Sequence, residues 1–184
     1  VIALEPDDWA KPGLGEWTVR ELVGHTIRAF STVDRFLDNP SDSADVGDSA
    51  TYYRVALGSL PDVHASVAER GREAGVALGD DPVEAVVEQV SATMGRLGDT
   101  TGNEIGVTAV GGMRLADYLE TRLVELVVHG LDLASAVGRP VDFGAAAVRA
   151  ATTVFSSATP VDRDLVLRSM LGRTALPAGF NVWP

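Results

Sequence analysis

Five polar side chains form a line along an otherwise apolar segment of the chain. They are Tyr118, Arg122, Glu125, His129 and Asp132. At about 100° per residue, these positions fall within an arc of roughly 80° on a helix. The other faces carry mainly leucine, valine and alanine, which is typical of a helix buried in a core. Because polar groups are costly in a core unless they are paired, this polar line predicts partners for its side chains.

Glu125 and His129 lie four residues apart, so a helix places both side chains on one face. A carboxylate and an imidazole are both common ligands of divalent metals. The chain has three histidines. His64 lies among alanine and charged residues, which indicates a solvated helix position, whereas His25 flanks the apolar face of an earlier predicted helix. His25 can therefore complete a site of two histidines and one carboxylate, which suits Zn²⁺, Fe²⁺, Ni²⁺ or Mn²⁺.

The same spacing is also compatible with a helix that binds no metal. Arg122 lies close to Glu125 on the predicted helix and can neutralise its carboxylate. Asp132 can likewise pair with His129 or with Arg122. From the residues alone, the metal site and the ion-paired core both remain open.

The composition limits the classes of partner. The chain of 184 residues has 26 acidic and 15 basic side chains and a net charge of -11, which repels nucleic acid and anionic lipid. We therefore expect no nucleic-acid partner. No apolar run approaches the ~20 residues needed to span a bilayer, so we expect no membrane partner and a cytoplasmic location. The chain contains no cysteine, so any thiol in its chemistry comes from a small molecule.

The hydrophobic pattern predicts one all-α domain over residues 1–184, a bundle with one long crossover and extra C-terminal helices. A capping box from Thr18 to Glu21 starts the helix that carries His25. The predicted helices cover residues 19–37, 49–78 with an interruption near 58–61, 82–97, 115–137, 144–157 and 162–171. Residues 98–112 form a connection that is extended at 104–110, with Gly111 and Gly112 as plain loop. The tail from about residue 172 to 184 is predicted to be irregular.

Two segments resemble a known superfamily. The sequence GEWTVRELVGH, followed farther along by TRLVELVVHGLDLASAVG, resembles the DinB-like superfamily. More narrowly, it resembles the metal-binding domain of mycothiol-dependent maleylpyruvate isomerases and their actinobacterial relatives. The ending LRSMLGRTALPAGFNVWP is similar to that of short members of this group. The resemblance implies a four-helix bundle whose first helix should precede LEPDDW, where the sequence has only a stub.

The resemblance also implies a function. It carries the roles of metal ligands onto His25, Glu125 and His129, with zinc as the usual metal. It implies mycothiol as a cofactor, because a bound cation favours the thiolate form of a coordinated sulfur. The isomerases have a second α/β domain, and too few residues follow Pro140 to supply one.

We therefore consider three hypotheses. The first is a mycothiol-dependent S-transferase or isomerase that acts on an electrophilic small molecule. By their positions, Arg28, Arg122 and Asp132 are candidate substrate contacts, and Arg122 and Tyr118 are candidate catalytic groups. The second is a hydrolase that uses metal-bound water. The third is a non-enzymatic helical module with a vestigial site. A homodimer formed through the bundle is compatible with each.

Overall fold

The computed structural model describes residues 3–58, 63–158 and 163–180, and α-helices account for most of them. The helices α1 to α7 span Val19–Asp38, Ser49–Gly58, Val63–Ala77, Pro82–Gly98, Leu115–Val137, Gly144–Ala158 and Arg163–Met170. The all-α prediction is confirmed. None of the helices among the described residues combines the length and the hydrophobicity of a membrane-spanning segment. The chain is irregular from residue 173 to 180, as predicted, and the end of the predicted tail lies outside the described residues.

Helix α1 begins at the predicted capping box. The Glu21 amide donates a hydrogen bond to the Thr18 hydroxyl at 3.3 Å, and the Thr18 amide donates to the Glu21 carboxylate at 2.7 Å. These reciprocal bonds satisfy two backbone groups that a helix start leaves unpaired. The cap thereby fixes where the helix begins, and with it the face on which His25 lies.

Helices α1 and α5 pack antiparallel and form the axis of the bundle. Phe36 near the end of α1 stacks on Tyr118 near the start of α5, with ring centroids 4.9 Å apart. At the opposite end of the pair, Leu22 shares an apolar cluster with Leu133. The polar line of α5 therefore runs along α1, with residues of each helix facing those of the other in reverse order.

Apolar side chains cover α5 on several sides, which explains its composition. One cluster packs α5 against α1 near Trp17, and another packs it against α1 and the β-hairpin near Phe36. A third lies between α5, α2 and α6 and is centred on Tyr53 and Val127. Because these faces are buried, α5 needs apolar residues around most of its circumference, and the sequence supplies leucine, valine and alanine there.

The connection before α5 is a β-hairpin. Strand β1 (Ile105–Thr108) pairs antiparallel with strand β2 (Gly111–Arg114). The predicted extended segment is confirmed, but the interpretation of Gly111 and Gly112 as plain loop is wrong. A Cβ at Gly112 would lie 1.9 Å from the Ser43 carbonyl oxygen, so the strand needs glycine where another backbone segment approaches. Glycine weakens the strand signal in the sequence, which hides β2.

Helices α1 and α3 approach each other closely enough that their backbones touch. A Cβ at Gly24 would lie 2.4 Å from the Gly75 nitrogen and 2.5 Å from the Ala74 carbonyl carbon. A Cβ at Gly71 would likewise overlap the indole of Trp17, whose Nε1 donates a 3.0 Å hydrogen bond to the Ala68 carbonyl. Small residues at these positions therefore set the distance between the two helices.

A buried carboxylate attaches the segment before α1 to the end of α5. Asp8 is 1% exposed and accepts hydrogen bonds from Lys11 and the Glu5 amide, both at 2.7 Å. Arg139, just beyond α5, pairs with it at 2.5 Å. The hydrogen bonds from Lys11 and Glu5, together with the Arg139 charge, hold the pKa of Asp8 well below its usual range.

Asp8→Asn should lower the melting temperature near neutral pH, because it removes the charge that these donors stabilise. A carboxyl group with a lowered pKa in the folded state contributes stability above its unfolded pKa and loses it as the pH falls. The difference between the wild type and Asp8→Asn should therefore shrink toward acid pH in thermal melts. The exposed neighbour Asp7→Asn is the matched control. Equal melting temperatures for all three proteins at neutral pH would contradict this role.

Candidate metal centre

Helices α1 and α5 bring three potential metal ligands together. His25 comes from α1, and Glu125 and His129 come from α5. One ligand atom from each side chain lies within 4.8 Å of the others. The two imidazole rings are 4.7 Å apart between centroids and nearly perpendicular, at 86°. The residues that the sequence selected for a metal site are thus neighbours in the fold.

His25 has a ring nitrogen without a hydrogen-bond partner. Its Nδ1 is buried and bonds to none of the described residues. The Trp17 ring packs against the imidazole, with centroids 4.7 Å apart. Burial, helped by the positive charge of His129, lowers the pKa of His25 to about 4. The ring is therefore neutral at physiological pH, and a buried nitrogen that is costly to leave unpaired is available to a cation.

Glu125 is held in its charged form. Burial opposes ionisation, but the hydrogen bond from His129 and the Arg122 charge outweigh it, and its pKa is lowered to about 2. The Tyr53 hydroxyl lies 2.8 Å from Oε1, and His129 Nε2 lies 3.4 Å from Oε2. The Glu125 side chain is 28% exposed, and each of its two carboxylate oxygens faces a neighbouring side chain.

His129 lies between two carboxylates. Its Nδ1 is 3.1 Å from Asp132 Oδ2, while its Nε2 faces Glu125. Burial disfavours a charged ring, but the hydrogen bonds to Asp132 and Glu125 dominate and raise the pKa of His129 to about 9. A metal-ligating histidine usually donates its second ring N–H to a carboxylate, as Nδ1 can do to Asp132 here, and a cation at Nε2 would replace the proton that faces Glu125. The donor set of two imidazoles and one carboxylate fits a divalent cation.

Arg122 does not neutralise Glu125 by direct contact. Among the described residues these two form no ion pair. The guanidinium instead lies over the Tyr118 ring at 4.8 Å and near the Tyr52 ring at 5.7 Å. It also donates hydrogen bonds to the hydroxyls of Thr32 and Tyr52, both at 3.4 Å. The direct Arg122–Glu125 pair invoked by the metal-free interpretation therefore does not form among the described residues, although the Arg122 charge still helps to keep Glu125 ionised.

The other candidate site residues take different positions. Tyr118 is 5% exposed and packs between Phe36 and Arg122. Arg28 lies one turn after His25 on α1 and is half-buried. Asp132 contacts His129, which favours an orienting role over a direct substrate contact. His64 belongs to α3, and its side chain lies outside the described residues.

The sequence analysis missed two tyrosines of the site. Tyr53 contacts Glu125, and Tyr52 contacts Arg122. Burial and the negative charge of Glu125 raise the pKa of Tyr53 well above its usual range, so the phenol remains a hydrogen-bond donor. Both lie on α2, and the sequence does not reveal which face of α2 meets α5. The adjacent tyrosines were the available signal, since the chain has only three.

Comparison with known proteins gave one family. The sequence pattern of the family described as mycothiol maleylpyruvate isomerase N-terminal domain matches residues 1–134. This range includes all of α1 and most of α5, and so contains His25, Glu125 and His129. No curated protein and no solved structure matches the chain.

Proposed function

Because this chain belongs to the mycothiol maleylpyruvate isomerase N-terminal domain family, we propose that it is a metalloenzyme that activates a small-molecule thiol. Its all-α fold is DinB-like. One observation carries the proposal: two histidines and a glutamate converge from two helices, and a buried nitrogen of one histidine lacks a partner.

His25, Glu125 and His129 would hold the cation. Zinc suits two imidazoles and a carboxylate, and nickel, iron and manganese are the alternatives. When bound, the cation supplies the charge that keeps the sulfur of an external thiol in its thiolate form at neutral pH. Since the chain has no cysteine, the thiol must be external, and the family supports mycothiol as its identity.

The remaining side chains keep these ligands in the required state. Asp132 lies beside Nδ1 of His129 and so directs Nε2 toward Glu125, while the Tyr53 hydroxyl donates a hydrogen bond to one oxygen of Glu125. Packing against Trp17 holds the neutral ring of His25 in place. Each group orients its neighbour before any ligand arrives, which reduces the ordering cost of binding.

The proposal is tested by the thiol dependence of turnover. Zinc-loaded protein is assayed with a chromogenic halodinitrobenzene, with and without mycothiol, and with a chromogenic ester. We expect product from the halodinitrobenzene only when both metal and mycothiol are present, above the uncatalysed rate. Metal-dependent ester cleavage without thiol would instead support the hydrolase alternative. Full metal loading with no turnover of either probe would favour a binding module.

Asp132→Asn should weaken zinc binding by about 10–100-fold, the usual effect of removing a carboxylate that orients a histidine ligand. The amide keeps the size of the side chain but loses the charge that faces Nδ1 of His129. Affinity is measured by competition with a chromogenic chelator. Asp164→Asn, on the exposed part of α7, is the matched control and should bind zinc normally. Equal affinities for both variants would contradict the orienting role of Asp132.

A further inference from the structure

Helix α2 carries two buried hydroxyl groups that bond to carboxylates of α5. Ser49 Oγ lies 2.6 Å from Glu120 Oε2, and Tyr53 Oη lies 2.8 Å from Glu125 Oε1. Ser49 is 5% exposed and Tyr53 is 3% exposed. The two residues are four positions apart, so they lie on the same face of α2. Polar contacts at two successive turns therefore join α2 to α5, and the second of them reaches a candidate metal ligand.

The ring of Tyr53 is fixed by its packing. It belongs to the apolar cluster between α2, α5 and α6, together with Val124, Val127 and Val154. The ring of Tyr52 contacts it edge-on, with centroids 5.4 Å apart. Since a closely packed side chain in a core keeps one rotamer, the Tyr53 hydroxyl stays directed at α5. The position of this hydroxyl is thus set before any cation arrives.

The Tyr53 hydroxyl has two acceptors within reach. The Thr121 carbonyl lies 3.0 Å away and Glu125 Oε1 lies 2.8 Å away. A hydroxyl group donates one hydrogen, so the two acceptors compete for it. A charged carboxylate forms hydrogen bonds that are about twice as strong as those of a neutral carbonyl. The hydrogen is therefore donated mainly to Glu125 Oε1.

This hydrogen bond makes the two oxygens of Glu125 different. Oε1 is bonded to Tyr53 of α2, whereas Oε2 lies 3.4 Å from Nε2 of His129. His25, Glu125 and His129 each direct one ligand atom into the same small region. A cation that binds Nε2 of His129 therefore meets Oε2, while Oε1 remains engaged on the side of α2.

The number of oxygens that Glu125 supplies decides how much of the cation is left open. Two imidazole nitrogens and one carboxylate oxygen occupy three positions, and four-coordinate zinc then has one position for an external ligand. A second oxygen from Glu125 would compete for that position. An external thiol binds the cation only where a position is open to its sulfur.

We propose that Tyr53 is a positioning residue that keeps Glu125 a one-oxygen ligand through Oε2, and so reserves one position of the cation for the external thiol. The inference rests on the proposed function, because it concerns the same cation and the same thiol. Tyr53 acts through Glu125, and its contribution is to thiol access.

Crystal structures of the zinc-loaded wild type and of zinc-loaded Tyr53→Phe test the oxygen assignment. In the wild type we expect zinc at about 2.0–2.2 Å from Glu125 Oε2, with Oε1 still bonded to Tyr53. In Tyr53→Phe the hydroxyl is gone and Oε1 is released. We expect both oxygens of Glu125 to bind the zinc in this variant.

Thiol affinity gives a second measurement in solution. The cobalt-loaded full chain is titrated with 2-mercaptoethanol and followed by the charge-transfer absorption of a cobalt–sulfur bond. Tyr53→Phe should weaken thiol binding at least about tenfold, the scale of a hydrogen bond to a charged group. Ser49→Ala is the matched control, because it removes the other contact between α2 and α5 without touching Glu125. It should bind the thiol as the wild type does.

Several outcomes would overturn the inference. One is a wild-type structure in which both oxygens of Glu125 bind zinc, or in which Oε1 leaves Tyr53 to bind it. Another is equal thiol affinity in the wild type and Tyr53→Phe. If Ser49→Ala weakens thiol binding as much as Tyr53→Phe does, the cause is loosening of α2 in general. If Tyr53→Phe fails to fold, as judged by thermal melts, the wild-type structure still decides the result.

Failure of this inference can be distinguished from failure of the proposed function. Thiol-dependent turnover by a chain whose Glu125 binds zinc through both oxygens refutes only the role of Tyr53. A zinc-loaded chain that uses Oε2 alone but has no thiol-dependent turnover refutes only the enzyme. A chain that never binds zinc at His25, Glu125 and His129 refutes both.

Discussion

His129→Ala protein should contain no stoichiometric zinc, and Glu125→Ala should give the same result. Each change removes one of three ligand side chains that converge within 4.8 Å. Loss of an orienting group alone costs about 10–100-fold in affinity, so loss of a ligand should cost more than about 100-fold. In His129→Ala the carboxylates of Glu125 and Asp132 also lose the ring that bridges them.

Metal content is measured by mass spectrometry after dialysis against a weak chelator. The matched control is His64→Ala, which changes the one histidine outside the three candidate ligands and should retain zinc. Circular dichroism shows whether each variant is folded. Full zinc content in folded His129→Ala and Glu125→Ala proteins would rule out this metal centre.

Gly24→Ala should produce a large loss of stability, because α1 and α3 touch through their backbones at this residue. The added methyl group would lie 2.4 Å from the Gly75 nitrogen, and backbone cannot move aside as a flexible side chain can. Overpacking of this kind costs about 1–3 kcal/mol or more. Since His25 is the next residue, separation of the two helices would also displace a candidate ligand and weaken zinc binding.

Gly95→Ala is the matched control for this change. Gly95 also lies inside a helix, but a Cβ there would have no neighbour within 4 Å. Alanine favours helix over glycine by about 0.5–1 kcal/mol, so this variant should be slightly more stable than the wild type. Urea denaturation measures the free energy of unfolding of both variants and of the wild type. A Gly24→Ala protein as stable as Gly95→Ala would show that the helices can separate without cost.

The two helices that carry the candidate ligands could be predicted because the sequence signals that define them are local. The capping box at Thr18 places the start of α1, and the polar line on a buried helix selects Glu125 and His129. The small number of histidines then leaves His25 as the plausible third member. The spacing of residues on a helix can be read directly from the sequence, and the cost of burying polar groups then shows which positions need partners.

The surroundings of the site could not be predicted, because they depend on how helices pack. The position of Arg122 illustrates this: spacing on α5 allows a pair with Glu125, but the rings of Tyr52 and Tyr118 draw the guanidinium away. The contact between Tyr53 and Glu125 joins residues 72 positions apart. The strand at Gly112 was hidden for a similar reason, since only the approach of Ser43 explains its glycine.

The central claim is that His25, Glu125 and His129 hold one divalent cation. Anomalous diffraction at the zinc absorption edge, from crystals of the zinc-loaded protein, tests it most directly. We expect one strong anomalous peak per chain, between α1 and α5, at about 2.0–2.2 Å from a nitrogen of each histidine and an oxygen of the glutamate. A peak at another position, or zinc-loaded protein with no peak among these three side chains, would contradict the claim.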